Sequence, residues 1–150
     1  MRLTKGVAYG ARGIIHLAKL PESSVALVAD IASSEGLPES YLAKIFQDLA
    51  KEGLVRSYRG AKGGFSLGRP ACDITLRQVI EAIDGPIALC RCLAPFEGCD
   101  KIDTCAMSPV FAKAQRELIG CLDSTSVADL ATHENAFESA QDQPTMEATD

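Results

Sequence analysis

The sequence predicts a mainly α-helical fold with a small β wing, in which a winged helix-turn-helix module precedes a long helix. Apolar residues recur at helical spacing in several segments, and a Gly-Leu-Pro break separates two of them. A glycine-rich hairpin follows directly. We expect the winged module at residues 1–70, then a connecting helix, a cysteine-rich loop and a long helix at 71–132, and an acidic tail at 133–150.

Length and composition predict a soluble globular protein. The chain has 150 residues, 47% of them hydrophobic, which is enough for a core. Its start has no signal-peptide core, and no apolar run approaches the ~18 residues of a membrane span, so we expect a cytoplasmic location and no membrane partner. In a reducing compartment, six cysteines favour metal ligands, redox thiols or core residues over disulfides.

The charge is unevenly distributed along the chain. The net charge is −5, but residues 1–70 hold ten Lys/Arg against six Asp/Glu, a net of +4. Residues 71–132 carry −4 and residues 133–150 carry −5. The basic first half is compatible with a nucleic-acid partner although the total is acidic. The tail has no helical apolar stripe, which predicts disorder.

The first two helices are predicted from periodicity. A first amphipathic helix is expected over about residues 4–19, from apolar side chains on one face: Leu3, Val7, Ala11, Ile14 and Ala18. A short helix follows at about residues 28–34. Gly36 then suits a left-handed turn, and Pro38 suits the opening of the next helix. This is the spacing of a helix-turn-helix.

The third helix, residues 39–52, divides into two faces. The apolar face, expected in the core, comprises Leu42, Ile45, Phe46 and Leu49. The opposite face comprises Ser40, Ala43, Lys44, Gln47 and Lys51. Small, amide and cationic side chains suit a DNA major groove, where Ser and Gln bond base edges and Lys meets phosphate or guanine. A solvated helix surface is the alternative reading.

A wing is predicted after this helix. Gly53 ends the helix, and strands are expected at residues 54–58 and 65–67. The turn between them contains three glycines, which allow a backbone close to phosphate, and it places Arg59 and Lys62 at the tip. A basic hairpin directly after a helix-turn-helix predicts binding to double-stranded DNA.

The cysteine loop, residues 90–105, follows a helix that Thr75 is expected to cap and Gly85 to end. Cys92 and Cys99 are separated by six residues, and Cys99 and Cys105 by five. Zinc sites usually pair cysteines two to four residues apart, so zinc is disfavoured. Three thiolates converging on a larger group favour an iron–sulfur cluster, with a redox-active thiol pair or inert cysteines as alternatives.

The remaining features are a long helix and two isolated cysteines. Ser108 and Pro109 are expected to cap and open this helix. Its stripe of Phe111, Ala114, Leu118 and Cys121/Leu122 is expected to pack against a second copy, because a homodimer fits two DNA half-sites. Cys72 and Cys121 are expected in the core rather than as ligands.

Taken together, these motifs resemble the IscR/NsrR/RirA family of bacterial regulators from residue 1 to about 132. The resemblance rests on the cysteine loop and on Met1-Arg2-Leu3-Thr4, Ala29-Asp30-Ile31-Ala32, Ser40-Tyr41-Leu42, Gly53-Leu54-Val55 and Arg59-Gly60 with Gly63-Gly64-Phe65. It implies a dimeric winged-helix transcription factor whose iron–sulfur cluster, of the 2Fe–2S or 4Fe–4S type, controls binding to promoter DNA.

The resemblance also implies site residues by position. Cys92, Cys99 and Cys105 match the family's cluster ligands, with one further ligand required. Ser40, Lys44 and Arg59 match its DNA-contacting positions. Combined with the residue pattern, the expected DNA-binding set is Ser40, Tyr41, Lys44, Gln47, Arg59, Gly60 and Lys62.

Three departures leave the subgroup open. Ser108 stands where IscR-like members have a histidine, and Ala8 stands where NsrR-like members have an aspartate. Neither familiar fourth ligand is therefore present, and Cys90 is a candidate. Ala43 replaces a glutamate of IscR-like proteins, which affects the expected target-site discrimination.

The sequence thus predicts a DNA-binding regulator, expected to be a repressor, that senses iron–sulfur status, iron, nitric oxide or redox state. The first alternative is an iron–sulfur carrier or electron-transfer protein, which would not need the basic wing. The second is a thiol-based redox regulator without a cluster. No nucleophile–base pair is evident around His16 or His133, so an enzyme is not expected.

Overall fold

The computed structural model describes residues 3–95 and 97–141, with side chains up to 137. It confirms the expected fold class, a mostly helical chain with a small antiparallel sheet. The elements are α1 (Lys5–Lys19), α2 (Val28–Glu35), α3 (Glu39–Lys51), β1 (Val55–Tyr58), β2 (Gly64–Leu67), α4 (Leu76–Asp84), α5 (Ser108–Asp123) and α6 (Val127–Gln141).

One hydrophobic core joins the winged module to the elements after residue 71. It contains Ile14 of α1, Val79 of α4 and Val127 of α6, all fully buried, together with the apolar face of α3. The second half of the chain therefore packs directly on the helices that are expected to meet DNA. A smaller cluster of Val7, Ile80 and Ile87 lies beneath α5.

A stripe of glycines on α1 lets two other helices approach its backbone. An added Cβ on Gly13 would lie 2.6 Å from Cε2 of Phe46, and one on Gly10 would lie 2.4 Å from Cδ1 of Ile83. α3 and α4 therefore pack against bare backbone. The periodicity of large apolar residues does not reveal this stripe. Leu3, which was assigned to the apolar face of this helix, is 49% exposed.

The helix-turn-helix has the expected local geometry. Gly36 ends α2 in the left-handed region at φ 64°, and its N–H reaches the carbonyls of Ala32 and Ser33. The N–H of Leu37 also bonds to the Ala32 carbonyl at 2.8 Å. These bonds satisfy carbonyls at the end of α2, and the chain then turns into α3 through Pro38.

The wing is fastened to the core through Phe65. Its ring meets the Phe46 ring edge-on, with centroids 5.0 Å apart. Its backbone exchanges hydrogen bonds of 2.8 and 2.9 Å with Ala26, so the segment before α2 adds a bridge to the hairpin. An added Cβ on Gly64 would lie 2.3 Å from the Ala26 carbonyl oxygen, so glycine is required there.

Three polar contacts hold α4 in place. Thr75 and Gln78 form a reciprocal capping box at its start, which agrees with the expected cap. Arg77 binds Glu81 at 3.0 Å and Asp123 of α5 at 2.9 Å. At its other end, Asp84 accepts hydrogen bonds from the N–H and hydroxyl of Thr4.

The expected disordered tail is wrong for residues 133–141, because α6 runs through them. Ser126 and Asp129 cap this helix reciprocally, and the hydroxyl and then the N–H of Ser126, which both donate to the Asp129 carboxylate, lower the pKa of that carboxyl. Ala131 is buried in the core, and Glu134 binds Lys19 of α1 at 2.8 Å. Tertiary contacts thus stabilise a segment with little amphipathic pattern. Residues 142–150 lie outside the described part.

Two expectations for α5 also need correction. Ser108 is its first residue rather than its cap, and Met107 stands at the cap without a side-chain hydrogen bond. Leu118 and Leu122 pack on the chain's own Val7 cluster instead of facing outward.

Among the described residues, no helix is long and apolar enough to cross a membrane.

We expect Gly13→Ala to destabilise the fold. The added methyl group overpacks the site against the fully buried Phe46 ring, which costs about 1–3 kcal/mol, whereas alanine gains about 1 kcal/mol of helix propensity. Chemical denaturation should therefore show a net loss of up to roughly 2 kcal/mol in the free energy of unfolding relative to the parent, and of about 1–3 kcal/mol relative to a helix glycine replaced without overpacking.

Gly120→Ala on α5 is the matched control, because an added Cβ there meets nothing within 4 Å. This variant should be as stable as the parent or more stable. If Gly13→Ala were as stable as the Gly120→Ala control, or more stable, α1 and α3 would not be packed as closely as described.

Candidate nucleic-acid interface and cysteine loop

The outer face of α3 carries the expected groove-facing residues. Ser40, Tyr41, Lys44 and Gln47 are exposed, while Leu42, Ile45, Phe46 and Leu49 are buried. Ala43 is half-buried, at the edge between the two faces. Lys51, farther along, binds Asp48 at 2.7 Å, which partly neutralises its charge. The first two turns of α3 therefore present the free polar groups.

Tyr41 has a packing role besides its exposure. Its ring meets Tyr9 of α1 edge-on, with centroids 5.7 Å apart. Its hydroxyl lies over Gly6, 3.1 Å from where a Cβ would be. Tyr41 thus fixes the start of α3 against α1, and the hydroxyl end is held near the surface.

The wing tip, residues 59–63, projects beyond the paired strands. Val55 pairs with Leu67, and Tyr58 with Gly64 at the end of the ladder. Gly60 has φ 103°, and its carbonyl accepts the N–H of Gly63 at 2.9 Å to close the turn. Arg59, Gly60 and Lys62 are exposed. A tight turn therefore brings two cations to the end of the wing.

The cysteine loop is a succession of short turns between α4 and α5. Two 3₁₀ turns span Arg91–Leu93 and Ile102–Thr104. The carbonyls of Cys90, Cys99 and Cys105 each accept a backbone N–H three residues further on. Gln115 of α5 accepts the Leu89 N–H at 3.0 Å, which anchors the entrance to the loop. An Arg91–Glu97 ion pair of 2.6 Å connects its first half.

Two of the loop thiols are in direct contact. The Sγ atoms of Cys90 and Cys92 lie 3.1 Å apart, and both residues are half-buried. The hydrogen bond between the two thiols, followed by desolvation and the nearby Cys90 charge, raises the pKa of the Cys92 thiol. A smaller contribution comes from Cys99, which therefore lies within electrostatic range of Cys92.

The donor chemistry of the loop suits an iron–sulfur cluster, since three thiols of one loop are reduced and reachable. Cys99 is exposed, and Cys92 and Cys105 are half-buried. Within the described residues, however, no three Cys, His or carboxylate side chains stand close enough to hold a metal ion. Ligation by all three would require the loop turns to draw together.

The positions of the fourth-ligand candidates differ in their surroundings. Ala8 lies exposed on α1 and offers no donor. Ser108 begins α5, and its N–H bonds to the Cys105 carbonyl at 3.1 Å. Cys90 already touches Cys92, so the one-residue spacer does not keep these sulfurs apart.

The other two cysteines were placed wrongly. Cys72 and Cys121 are both exposed, not in the core. Cys72 lies in a short 3₁₀ turn before α4, and Cys121 is on the outer side of α5. The apolar stripe that suggested burial of Cys121 turns inward through its neighbours Leu118 and Leu122.

A cavity of about 620 Å³ lies between the cysteine loop and the base of the wing. Leu93 and Pro95 of the loop line it together with Arg69, which follows β2, and with Ile87 and Gln115. The Arg69 Nε is buried, and it has no hydrogen-bond partner among the residues that the structure describes. No sequence motif reveals this junction, because its residues come from five separate segments.

A helix-turn-helix with an exposed polar recognition face, followed by a basic wing, defines a winged-helix DNA-binding regulator. The family model described as "Rrf2: Iron-dependent Transcriptional regulator" matches residues 3–133, and the chain belongs to this family. Its members are transcriptional regulators and not enzymes, in agreement with the sequence prediction.

Individual relatives support the same assignment. A protein of Mycobacterium tuberculosis H37Rv, named as an HTH-type transcriptional regulator (Rv1287), is 31% identical over 99% of this chain and 94% of its own length. The structure of CymR, the global cysteine regulator of B. subtilis, is 29% identical, with a TM-score of 0.73 over 89% of this chain and 98% of that one. T. potens IscR is 27% identical, with a TM-score of 0.70 over 97% and 96%.

We expect Arg59→Ala to weaken binding to a nonspecific DNA duplex. A guanidinium at the wing tip neutralises phosphate charge, so its loss should lower affinity and reduce the slope of log affinity against log salt by about one. Fluorescence anisotropy on a labelled duplex of random sequence, titrated at several salt concentrations, measures both quantities.

Arg116→Ala is the matched control, because it removes the same charge from an exposed position on α5. Its salt slope should equal that of the parent. Superimposable salt dependences for Arg59→Ala and the parent would exclude the wing tip from the DNA interface.

Proposed function

We propose that this Rrf2-family protein is a repressor whose cysteine loop holds an iron–sulfur cluster and thereby controls binding to promoter DNA. The observation that carries the proposal is the presence of three free thiols, Cys92, Cys99 and Cys105, in one loop that lines a cavity together with Arg69 of the winged module. The presence or state of the cluster would report iron–sulfur status, iron, nitric oxide or redox state.

The DNA-binding half uses α3 and the wing. Ser40, Lys44 and Gln47 would read base edges in the major groove, because they are the free polar groups of the outer face. Arg59, Gly60 and Lys62 would meet the backbone or a minor groove beside it. Tyr41 would support the start of α3 and reach DNA only with its hydroxyl.

A homodimer would place two such modules on one duplex. The start of α5 supports this, because Met107 is 62% and Val110 68% exposed, with Phe111 beside them. Adjacent apolar side chains of this size on a helix suit burial against a partner. The later half of α5 is occupied by the chain's own α4, which restricts the proposed contact to its first turns.

In the loaded protein, Cys92, Cys99 and Cys105 would supply thiolate donors from successive turns of the cysteine loop. The cluster supplies redox-active iron whose reduction potential depends on hydrogen bonds to sulfur and on solvent exposure. Gln115 fixes the entrance of the loop to α5, and the Arg91–Glu97 pair restrains the segment between the first two donors.

A movement of the cysteine loop would reach the DNA-binding elements through the residues that line the cavity between the loop and the wing. Drawing the loop turns together would move Leu93 and Pro95, which face Arg69 across that cavity. Arg69 lies two residues after the end of β2, and its guanidinium bonds to Gln78 of α4 at 3.4 Å. A shift of the loop can therefore reach both the wing and the helix that packs on α1.

A cluster-free thiol regulator is the second candidate, and the Cys90–Cys92 contact favours it. Two similar structures are consistent with it: CymR, described as a global cysteine regulator, and an oxidized form of S. aureus CymR, 27% identical with a TM-score of 0.67. The carrier alternative is set aside, because the family consists of transcriptional regulators.

We expect Ala substitution of Cys92, Cys99 or Cys105 to abolish cluster binding in each case, because each removes a thiolate donor. The measurement is the iron and sulfide content and the visible spectrum of anaerobically reconstituted protein. Cys90→Ala should keep the cluster with altered stability at most.

Cys72→Ala and Cys121→Ala are the controls, because both thiols are exposed and outside the loop. They should bind the full complement of iron. Full iron content in any one of the three loop variants would overturn the ligand set, and complete loss in Cys90→Ala would make Cys90 the fourth ligand.

A further inference from the structure

We propose that Cys90 and Cys92 form a reversible disulfide within the cysteine loop, and that this bond withdraws Cys92 from cluster binding. The first part depends only on the geometry of the two thiols. The second part rests on the proposed function, in which Cys92 is a cluster ligand.

The two sulfurs are poised for bond formation. Their separation of 3.1 Å exceeds a disulfide bond of about 2.05 Å by roughly 1 Å, a distance that small side-chain rotations can close. Among the described residues, no other two thiols are in contact. The proximity therefore selects one pair out of six cysteines.

Local backbone structure produces this proximity. Cys90 is extended, with φ −147° and ψ 159°, whereas Cys92 lies inside the 3₁₀ turn Arg91–Leu93. The N–H of Leu93 bonds to the Cys90 carbonyl at 3.0 Å and closes the turn around Arg91. The chain thus folds back between the two thiols, and the Gln115 anchor lies directly before them.

The pair is also accessible to a small oxidant. Both cysteines are half-buried, and Arg91 between them is 90% exposed in its side chain. The chemistry requires a low-molecular-weight disulfide as the oxidant. One loop thiolate attacks it to give a mixed disulfide and release one thiol.

The second loop thiolate then attacks the mixed disulfide at the protein sulfur. This forms the Cys90–Cys92 bond and releases the second small thiol. Overall the two protein thiols lose two electrons and two protons, and the oxidant gains them as two thiols. The same exchange in reverse restores the dithiol, and a strained, exposed disulfide favours such reduction.

The consequence is competition for Cys92. A sulfur in a disulfide cannot donate a thiolate to iron, and a sulfur bound to iron is protected from exchange. Cluster binding and disulfide formation would therefore exclude each other at one residue, Cys92. Cys90 would serve as the resolving thiol and need not be a cluster ligand.

Tryptic mapping tests the disulfide directly, because trypsin cleaves after Arg91, between the two cysteines. Cluster-free protein is treated with oxidised glutathione, its free thiols are alkylated, and it is digested without reductant. We expect peptides 78–91 and 92–101 to remain joined and to separate on reduction.

Peptide 92–101 also contains Cys99, so variants identify the partner. The joined peptides should persist in Cys99→Ser and disappear in Cys92→Ser and Cys90→Ser. Persistence in Cys92→Ser would reveal a Cys90–Cys99 bond and overturn the proposal. Separate peptides from the parent, with alkylated or glutathionylated thiols, would overturn it equally.

Reconstitution tests the second part. Oxidised parent should take up no iron until dithiothreitol is added, whereas the fraction of Cys90→Ala that mass spectrometry shows to keep a free Cys92 after the same oxidation should load immediately. Uptake by parent whose disulfide is verified would refute the competition. Failure of the reduced parent to load, when the oxidised sample of the same protein shows the disulfide, would refute the proposed cluster and leave the disulfide standing.

Discussion

The structure depends on the packing of Phe46 between α1 and the wing. Its ring fills the space left by Gly13 on one side and meets Phe65 on the other. Because Phe46 belongs to α3, this contact fixes the recognition helix relative to both α1 and the hairpin. A buried phenylalanine contributes several kcal/mol, about 3–5 when truncated to alanine, so these three elements hold together as one unit.

The cysteine loop is attached to this unit at both ends. It leaves α4, whose Arg77 bridges to Asp123, and it returns into α5 beside the Gln115 anchor. Between these fixed ends the turns are half-buried or exposed and are held mainly by local hydrogen bonds. A rigid frame with a deformable loop is the arrangement that a sensor requires, because ligand binding can shift the loop without disrupting the core.

Local patterns predicted most of the fold. Helical periodicity located α1, α3 and α4, and the turn at Gly36 and the hairpin were placed by glycine chemistry. The glycine stripe of α1 was missed, because periodicity counts large apolar residues and Gly13 acts by having no side chain. α6 was missed altogether, because its stability comes from Lys19 and the core rather than from its own pattern. The sequence located the thiols of the cysteine loop, but only the folded structure shows that Cys90 touches Cys92 and that Cys72 is exposed.

The most direct test of the account compares DNA binding by loaded and cluster-free protein, prepared anaerobically from one sample. The duplex is selected by the protein from a random-sequence pool, and a scrambled duplex serves as reference. We predict an affinity change of about 5–150-fold for the selected duplex on removal of the cluster, and little change for the scrambled one. Cys105→Ala should show no response to the same treatment. Equal affinity of loaded and cluster-free protein for the selected duplex would contradict the claim that the cysteine loop controls the winged module.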